Sequence, residues 1–111
     1  MKRYEMIKSH EQFNKIINCG NKIRSKYFVI FDMESKEKQP KFGIAVGKKI
    51  GNAVVRNKIK RQMRVIIDKN KNLFQNYHYY IIMIKREYLD LDFCSLENEF
   101  IKIVGKGQNE K

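Results

Sequence analysis

The chain has no tryptophan, one proline and two cysteines, and its 12 acidic residues are half as many as its 24 basic ones. Each shortage excludes something. Cys19 and Cys94 fall in separate predicted elements and form no Cys-x-x-Cys pair. Paired Cys2His2 spacing is also missing around His10 and His78, so neither a disulfide framework nor a protein-held metal site is expected. Pro40 is the only proline, and no linker, internal repeat or low-complexity tract interrupts the chain. One domain over residues 1–111 is expected, with a core from about 9 to 104 and a loose polar tail from 105 to 111. The longest apolar run, Tyr79 to Ile84, has the length of a strand and not of a membrane span. Met1-Lys2-Arg3-Tyr4-Glu5 turns polar at once and lacks a signal-peptide core, so the expected location is the cytoplasm. Acids are scattered or lie in loops, as at Glu34, Glu37, Asp90 and Asp92. None pairs with a second acid beside a His or Lys, so no catalytic constellation is expected on the protein.

What is abundant is positive charge. A formal net charge of +12 in 111 residues, with 32% charged and 42% hydrophobic residues, describes a globular protein with a polyanionic partner. The charge concentrates in Lys48 to Arg64. Lys48 and Lys49 precede a turn at Gly51-Asn52, where Asn52 is placed to cap a helix. Val55, Ile59, Met63, Ile66 and Ile67 then recur at helical spacing on one side. Asn57, Lys58, Lys60, Arg61 and Arg64 fan across the other. Arg56 falls within the apolar arc. Like charges three and four apart repel, so this helix needs an external polyanion as counter-charge.

The remaining elements follow in order. The first segment, Lys2 to Ile7, is a basic arm or a fragment of helix. Ser9, followed by Gln12, begins a helix that ends at Cys19-Gly20, with Phe13 and Ile17 on one face. Ile23 to Met33 reads as a strand with Tyr27, Val29, Phe31 and Met33 on one face and Phe28 and Ile30 on the other. Lys41 to Gly47 reads as its hairpin partner, with Phe42, Ile44 and Val46 opposite the small residues Gly43, Ala45 and Gly47. Two readings of that small face stand side by side: a shallow groove walled by Val29 and Phe31, or room for a packed helix. Tyr79 to Ile84 is an interior strand. Ser95 is expected to cap a last helix with Leu96, Phe100, Ile103 and Val104 inward.

Gly51-Asn52-Ala53-Val54-Val55-Arg56-Asn57-Lys58-Ile59-Lys60-Arg61-Gln62-Met63-Arg64 resembles the signature of the protein subunit of bacterial ribonuclease P. The resemblance extends from about Glu11 through the last helix, including Phe-Val-Ile-Phe at 28–31 and Phe-Gly-Ile-Ala-Val-Gly-Lys-Lys at 42–49. Four positions depart from it. Lys58 replaces an arginine, which gives up the bidentate fork. Ile17 stands where an aromatic is common, Gly47 where serine is frequent, and Glu87 where proline or glycine is usual. The resemblance implies an α+β sandwich of order α-β-β-β-α-β-α with a left-handed βαβ crossover through the basic helix (ribosomal protein S5 domain 2-like). Residues 22–24 would supply the extra strand.

It also implies a division of labour. A large RNA would carry the active site and its Mg2+, with no cofactor on the protein alone. Lys48, Lys49, Asn52, Arg56, Asn57, Lys58, Lys60, Arg61 and Arg64 would bind that RNA. Phe13, Ile17, Val29, Phe31, Ala45 and Gly47 would line a groove for the single-stranded 5′ leader of precursor tRNA. The protein would be monomeric on its own, with no membrane partner. The alternative class is a structural RNA-binding protein of the ribosome or a ribosome-associated factor. An anionic membrane surface is a weaker third, since no exposed amphipathic helix pairs cations with Trp or Phe. Duplex DNA is open to any basic helix, but no dimer signal accompanies this one.

Overall fold

Alternation along the strands distributes apolar side chains to both faces of one sheet, and helices cover each face. The computed structural model describes residues 6, 7 and 9–109, with side chains as far as 105. Helix α1 (His10–Cys19) is followed by strands β1 (Asn21–Arg24), β2 (Phe28–Glu34) and β3 (Lys41–Ala45). Helix α2 (Ala53–Lys69), strand β4 (His78–Ile84) and helix α3 (Phe93–Asn109) complete the chain.

The sheet order is β1-β2-β4-β3. Strand β4 pairs antiparallel with β2 and parallel with β3. The expected β2–β3 hairpin is therefore not formed. β4 lies between them, and α2 supplies the crossover that a parallel pair needs. The single strand expected from Ile23 to Met33 divides at Ser25-Lys26-Tyr27, where Ser25 Oγ accepts from the amides of Tyr27 and Phe28 at 3.2 and 3.0 Å. Tyr27 leaves the strand there and packs with the larger core instead of following Val29 and Phe31.

That larger core fills the space between the sheet and α2 with α3. It joins Phe28, Ile30, Phe42 and Ile82 to Ile59, Met63, Ile66 and Ile67, and to Leu96, Phe100 and Val104. Several of its rings meet edge to face, with centroids 5.9 Å apart for Phe28–Tyr88 and 4.9 Å for Phe42–Phe74. A smaller core of Ile16, Val29, Phe31, Tyr79 and Ile81 lies on the opposite face under α1.

Capping is local and partly as expected. Ser9 Oγ accepts from the Gln12 amide at 3.4 Å. At α3 the cap is Asp92, whose Oδ1 accepts from the Ser95 amide at 2.8 Å, so Ser95 is inside the helix. Hydrogen bonds from the Ser95 amide and hydroxyl hold the Asp92 carboxyl below the usual carboxylate range. The backbone of α3 runs on to Asn109, while the side chains of the expected loose tail from 106 lie outside the described residues. Of the expected basic segment 2–7, residues 2–5 also lie outside them. Ile7 donates its amide to the Phe42 carbonyl at 2.9 Å, which lays 6–7 along the free edge of β3.

Tyr88 offers a test of the larger core. Its hydroxyl donates to Gln62 Oε1 at 2.9 Å, and burial pushes its pKa up to about 12. A raised folded pKa stabilises the fold fully below the unfolded value of about 10 and less as pH climbs toward the folded one. Near neutrality, Tyr88→Phe should be about 1 kcal/mol less stable than wild type. Above about pH 10 the gap should close, because Tyr88 then ionises in the unfolded wild type and the variant has no hydroxyl there. Urea melts of both proteins from pH 7 to 11 measure it, and a gap independent of pH would contradict the burial of this hydroxyl.

Candidate nucleic-acid interface

Helix α2 begins where the sequence places it. Asn52 Oδ1 accepts from the Val55 amide at 3.0 Å, and the Asn52 carbonyl accepts from the Arg56 amide at 3.0 Å. Gly51 is required there, since a Cβ would lie 2.9 Å from both Cβ and Cγ1 of Val55. Ile59, Met63, Ile66 and Ile67 are buried and Val55 is half-buried, so the apolar arc faces the core. Asn57, Lys58, Arg61 and Arg64 are exposed, and Lys60 is half-buried. Lys48 and Lys49 occupy a short 3-10 turn over Lys48–Ile50, and both are exposed. Among the described residues, none of these cations has an acidic side chain in ion-pair range. Arg56, the residue out of place on the wheel, is half-buried, and its Nε is covered without a hydrogen-bond partner among the described residues. A charged donor left unmet in this way is stabilised by an anion that reaches it.

The crossover brings together residues that sequence reasoning left apart. Beyond the carboxyl ends of β3 and β4 a cleft of about 660 Å³ opens against α2. Ala45, Val46 and Met83 belong to its lining, and Lys49, Lys60 and Arg86 supply its charge. Arg86 and Met83 carry no local sequence signal for this cleft, because the β3–β4 pairing is not visible in alternation. The signal was strand order: once Ala45 pairs with Met83, Arg86 must leave the sheet at the same end as Lys48 and Lys49.

The proposed groove is only partly open. Phe13 and Ile17 are half-buried at the edge of α1, Ala45 is half-buried and Gly47 exposed. Val29 and Phe31 are 8% and 6% exposed and belong to the smaller core. They are packed floor and not an open aromatic wall, because α1 lies across them. Gly43 explains how α1 fits. A Cβ there would stand 2.8 Å from Cε2 of Phe13, so the missing side chain makes room for that ring. Of the two readings of the small face, packed helix describes Gly43, and open surface describes Gly47, where a Cβ would meet nothing within 4 Å.

For metal binding the donor set is thin. His78 Nδ1 and Asp32 Oδ1 lie 3.7 Å apart, but among the described residues no three His, Cys, Asp or Glu side chains gather where they could hold an ion. The geometry offers cationic and aromatic groups along an elongated surface, which suits a phosphodiester chain.

Known proteins share this fold. The family model described as Ribonuclease P matches residues 1–108. The ribonuclease P protein component of Mycoplasma capricolum is 39% identical over 105 residues, covering 94% of this chain and 96% of that protein. Its counterpart from Streptococcus agalactiae is 35% identical, covering 94% of each. The solved RNase P protein of Staphylococcus aureus superposes with a TM-score of 0.86 at 27% identity, covering 93% of this chain and 94% of that one.

Proposed function

The chain belongs to the ribonuclease P protein family, and from that membership we propose how its surface is used. It is the protein component of a ribonucleoprotein endoribonuclease that removes the 5′ leader of precursor tRNA, with the chemistry carried by the RNA subunit. The cationic face of α2 docks on that RNA through Asn57, Lys58, Arg61 and Arg64, with Lys48, Lys49, Asn52, Arg56 and Lys60 at its flank. The single-stranded leader of precursor tRNA enters the cleft near Lys49, Lys60 and Arg86. It then passes the rim formed by Phe13, Ile17, Ala45 and Gly47, above the packed Val29 and Phe31. The observation that carries this reading is the exposed cationic face of α2, without an acidic partner among the described residues, adjoining a half-open apolar rim. Mg2+ enters through the RNA subunit. The protein acts as a single domain and a monomer before assembly, and works in the cytoplasm; among the described residues no helix is long and apolar enough to cross a membrane.

One reconstitution tests the assignment. Combined with a bacterial ribonuclease P RNA, the protein should lower the magnesium needed to process precursor tRNA, and alone it should leave that substrate intact. In the same assay Phe13→Ala should weaken precursor binding by about tenfold, the lower range for one base stacked on an aromatic. Mature tRNA, which has no leader, should bind as before. Equal losses for both ligands would move Phe13 out of the binding surface, and an unchanged magnesium requirement would remove the assignment to this holoenzyme.

A further inference from the structure

We propose that β1 is a cationic extension of the leader path, so that Lys22 and Arg24 make the holoenzyme sensitive to leader length. The inference rests on the leader crossing the α1 side of the sheet, as proposed above, and adds where the strand goes next.

Alternation and register place the two residues. Ile23 packs with the larger core, on the α2–α3 side. Its neighbours Lys22 and Arg24 therefore point to the opposite, α1 side. Cross-strand partners agree: Arg24 lies opposite Val29, Val29 opposite Met83, and Met83 opposite Ala45. A single row thus runs from the cleft end of β3 to Arg24 on the far edge. The next row, Lys22–Phe31–Ile81–Gly43, passes beneath Phe13 of α1. The Arg24 row carries the half-buried Met83 and Ala45, so it is the more open of the two.

Three strand spacings separate β3 from β1, about 14 Å in all, the span of a few nucleotides. Both cations are exposed, and among the described residues neither has an acidic side chain in ion-pair range. Their neighbours are committed elsewhere: Lys85 Nζ donates to the Ser25 carbonyl at 2.7 Å, and Lys26 Nζ lies over the Tyr27 ring at 5.9 Å. A phosphodiester chain that follows the half-open Ala45 and Met83 and passes over the packed Val29 meets Arg24 next, and Lys22 beside it. A short leader ends before that point.

The test uses the reconstituted holoenzyme and precursor tRNAs with leaders of about two and about ten nucleotides, together with mature tRNA. Lys22→Ala with Arg24→Ala should weaken the long-leader precursor by about three- to tenfold, as expected for two exposed charge contacts. The salt slope of log K should fall by about 1.4, or about 0.7 per single-strand phosphate. Short-leader and mature tRNA should bind as before, and Lys22→Arg with Arg24→Lys should restore the long-leader affinity. Unchanged long-leader affinity and slope would overturn the proposal, as would equal losses on mature tRNA. So would a double variant whose only defect is self-association, since lysine on an edge strand also serves to block edge pairing. Phe13→Ala run in parallel separates the two levels. If it still discriminates precursor from mature tRNA while the β1 variant does not, the groove stands and its extension falls. If neither variant does, both fall.

Discussion

Replacing Lys58, Lys60, Arg61 and Arg64 together by alanine should reduce affinity for the ribonuclease P RNA by about a hundredfold or more while leaving the fold as stable as before. Each lost phosphate contact lowers the salt slope of log K by about 0.7 to 0.9, so four contacts remove about 3 units. Stability moves the other way. Lys60 and Arg64 stand four residues apart, and Lys58 and Arg61, like Arg61 and Arg64, stand three apart, so the free helix carries repelling neighbours. Alanine relieves that repulsion and is the strongest helix former. The melting temperature should therefore hold or rise as binding is lost. Circular dichroism and salt-dependent binding on the same preparation check both halves. Unchanged affinity would remove this face from the RNA interface, and a drop in helicity would make these cations structural.

The second large effect is on folding. Phe28→Ala should destabilise the protein by about 3–5 kcal/mol, a large share of the 5–15 kcal/mol typical of a domain. Phe28 is fully buried, with its ring edge-on to Tyr88 at 5.9 Å and to Phe100 at 5.7 Å. It joins β2 to α3 and to the turn before α3, and no neighbour can slide into the space without leaving its own contacts. The melting temperature should fall by more than about 10 °C. RNA and precursor affinities measured well below the new midpoint should change little, because α2 keeps its own contacts with the sheet. A melting temperature within a few degrees of wild type would mean that the larger core can collapse around the gap.

Local pattern and tertiary arrangement divided the information in this protein unevenly. The 3.6-residue period, the Asn52 cap and the run of cations identified α2, its inward arc and its outward charge without reference to any other element. The wheel alone makes Arg56 a misfit, and the fold leaves its Nε covered and unmet among the described residues. The continuous apolar run of Tyr79 to Ile84 placed β4 in the interior, which is where it lies. These features depend on interactions within one or two turns or on burial of a single segment, and both leave their trace in spacing.

Strand partners do not. Alternation says which residues share a face but not which strand lies alongside, so sequence neighbours β2 and β3 suggest a hairpin although β4 separates them. That one insertion decided most of the candidate site. It joined Arg86 to Lys49 and Lys60 at the cleft, and it set Arg24 in line with Val29, Met83 and Ala45. The burial of Phe31 and Val29 came from a second tertiary event, the packing of α1 across the sheet. An exposed aromatic and a covered one have the same period in sequence, and only the position of Phe13 over Gly43 distinguishes them. Charge and helix were determined locally because their physics is short-ranged; groove and floor were decided by contacts between segments far apart in the chain.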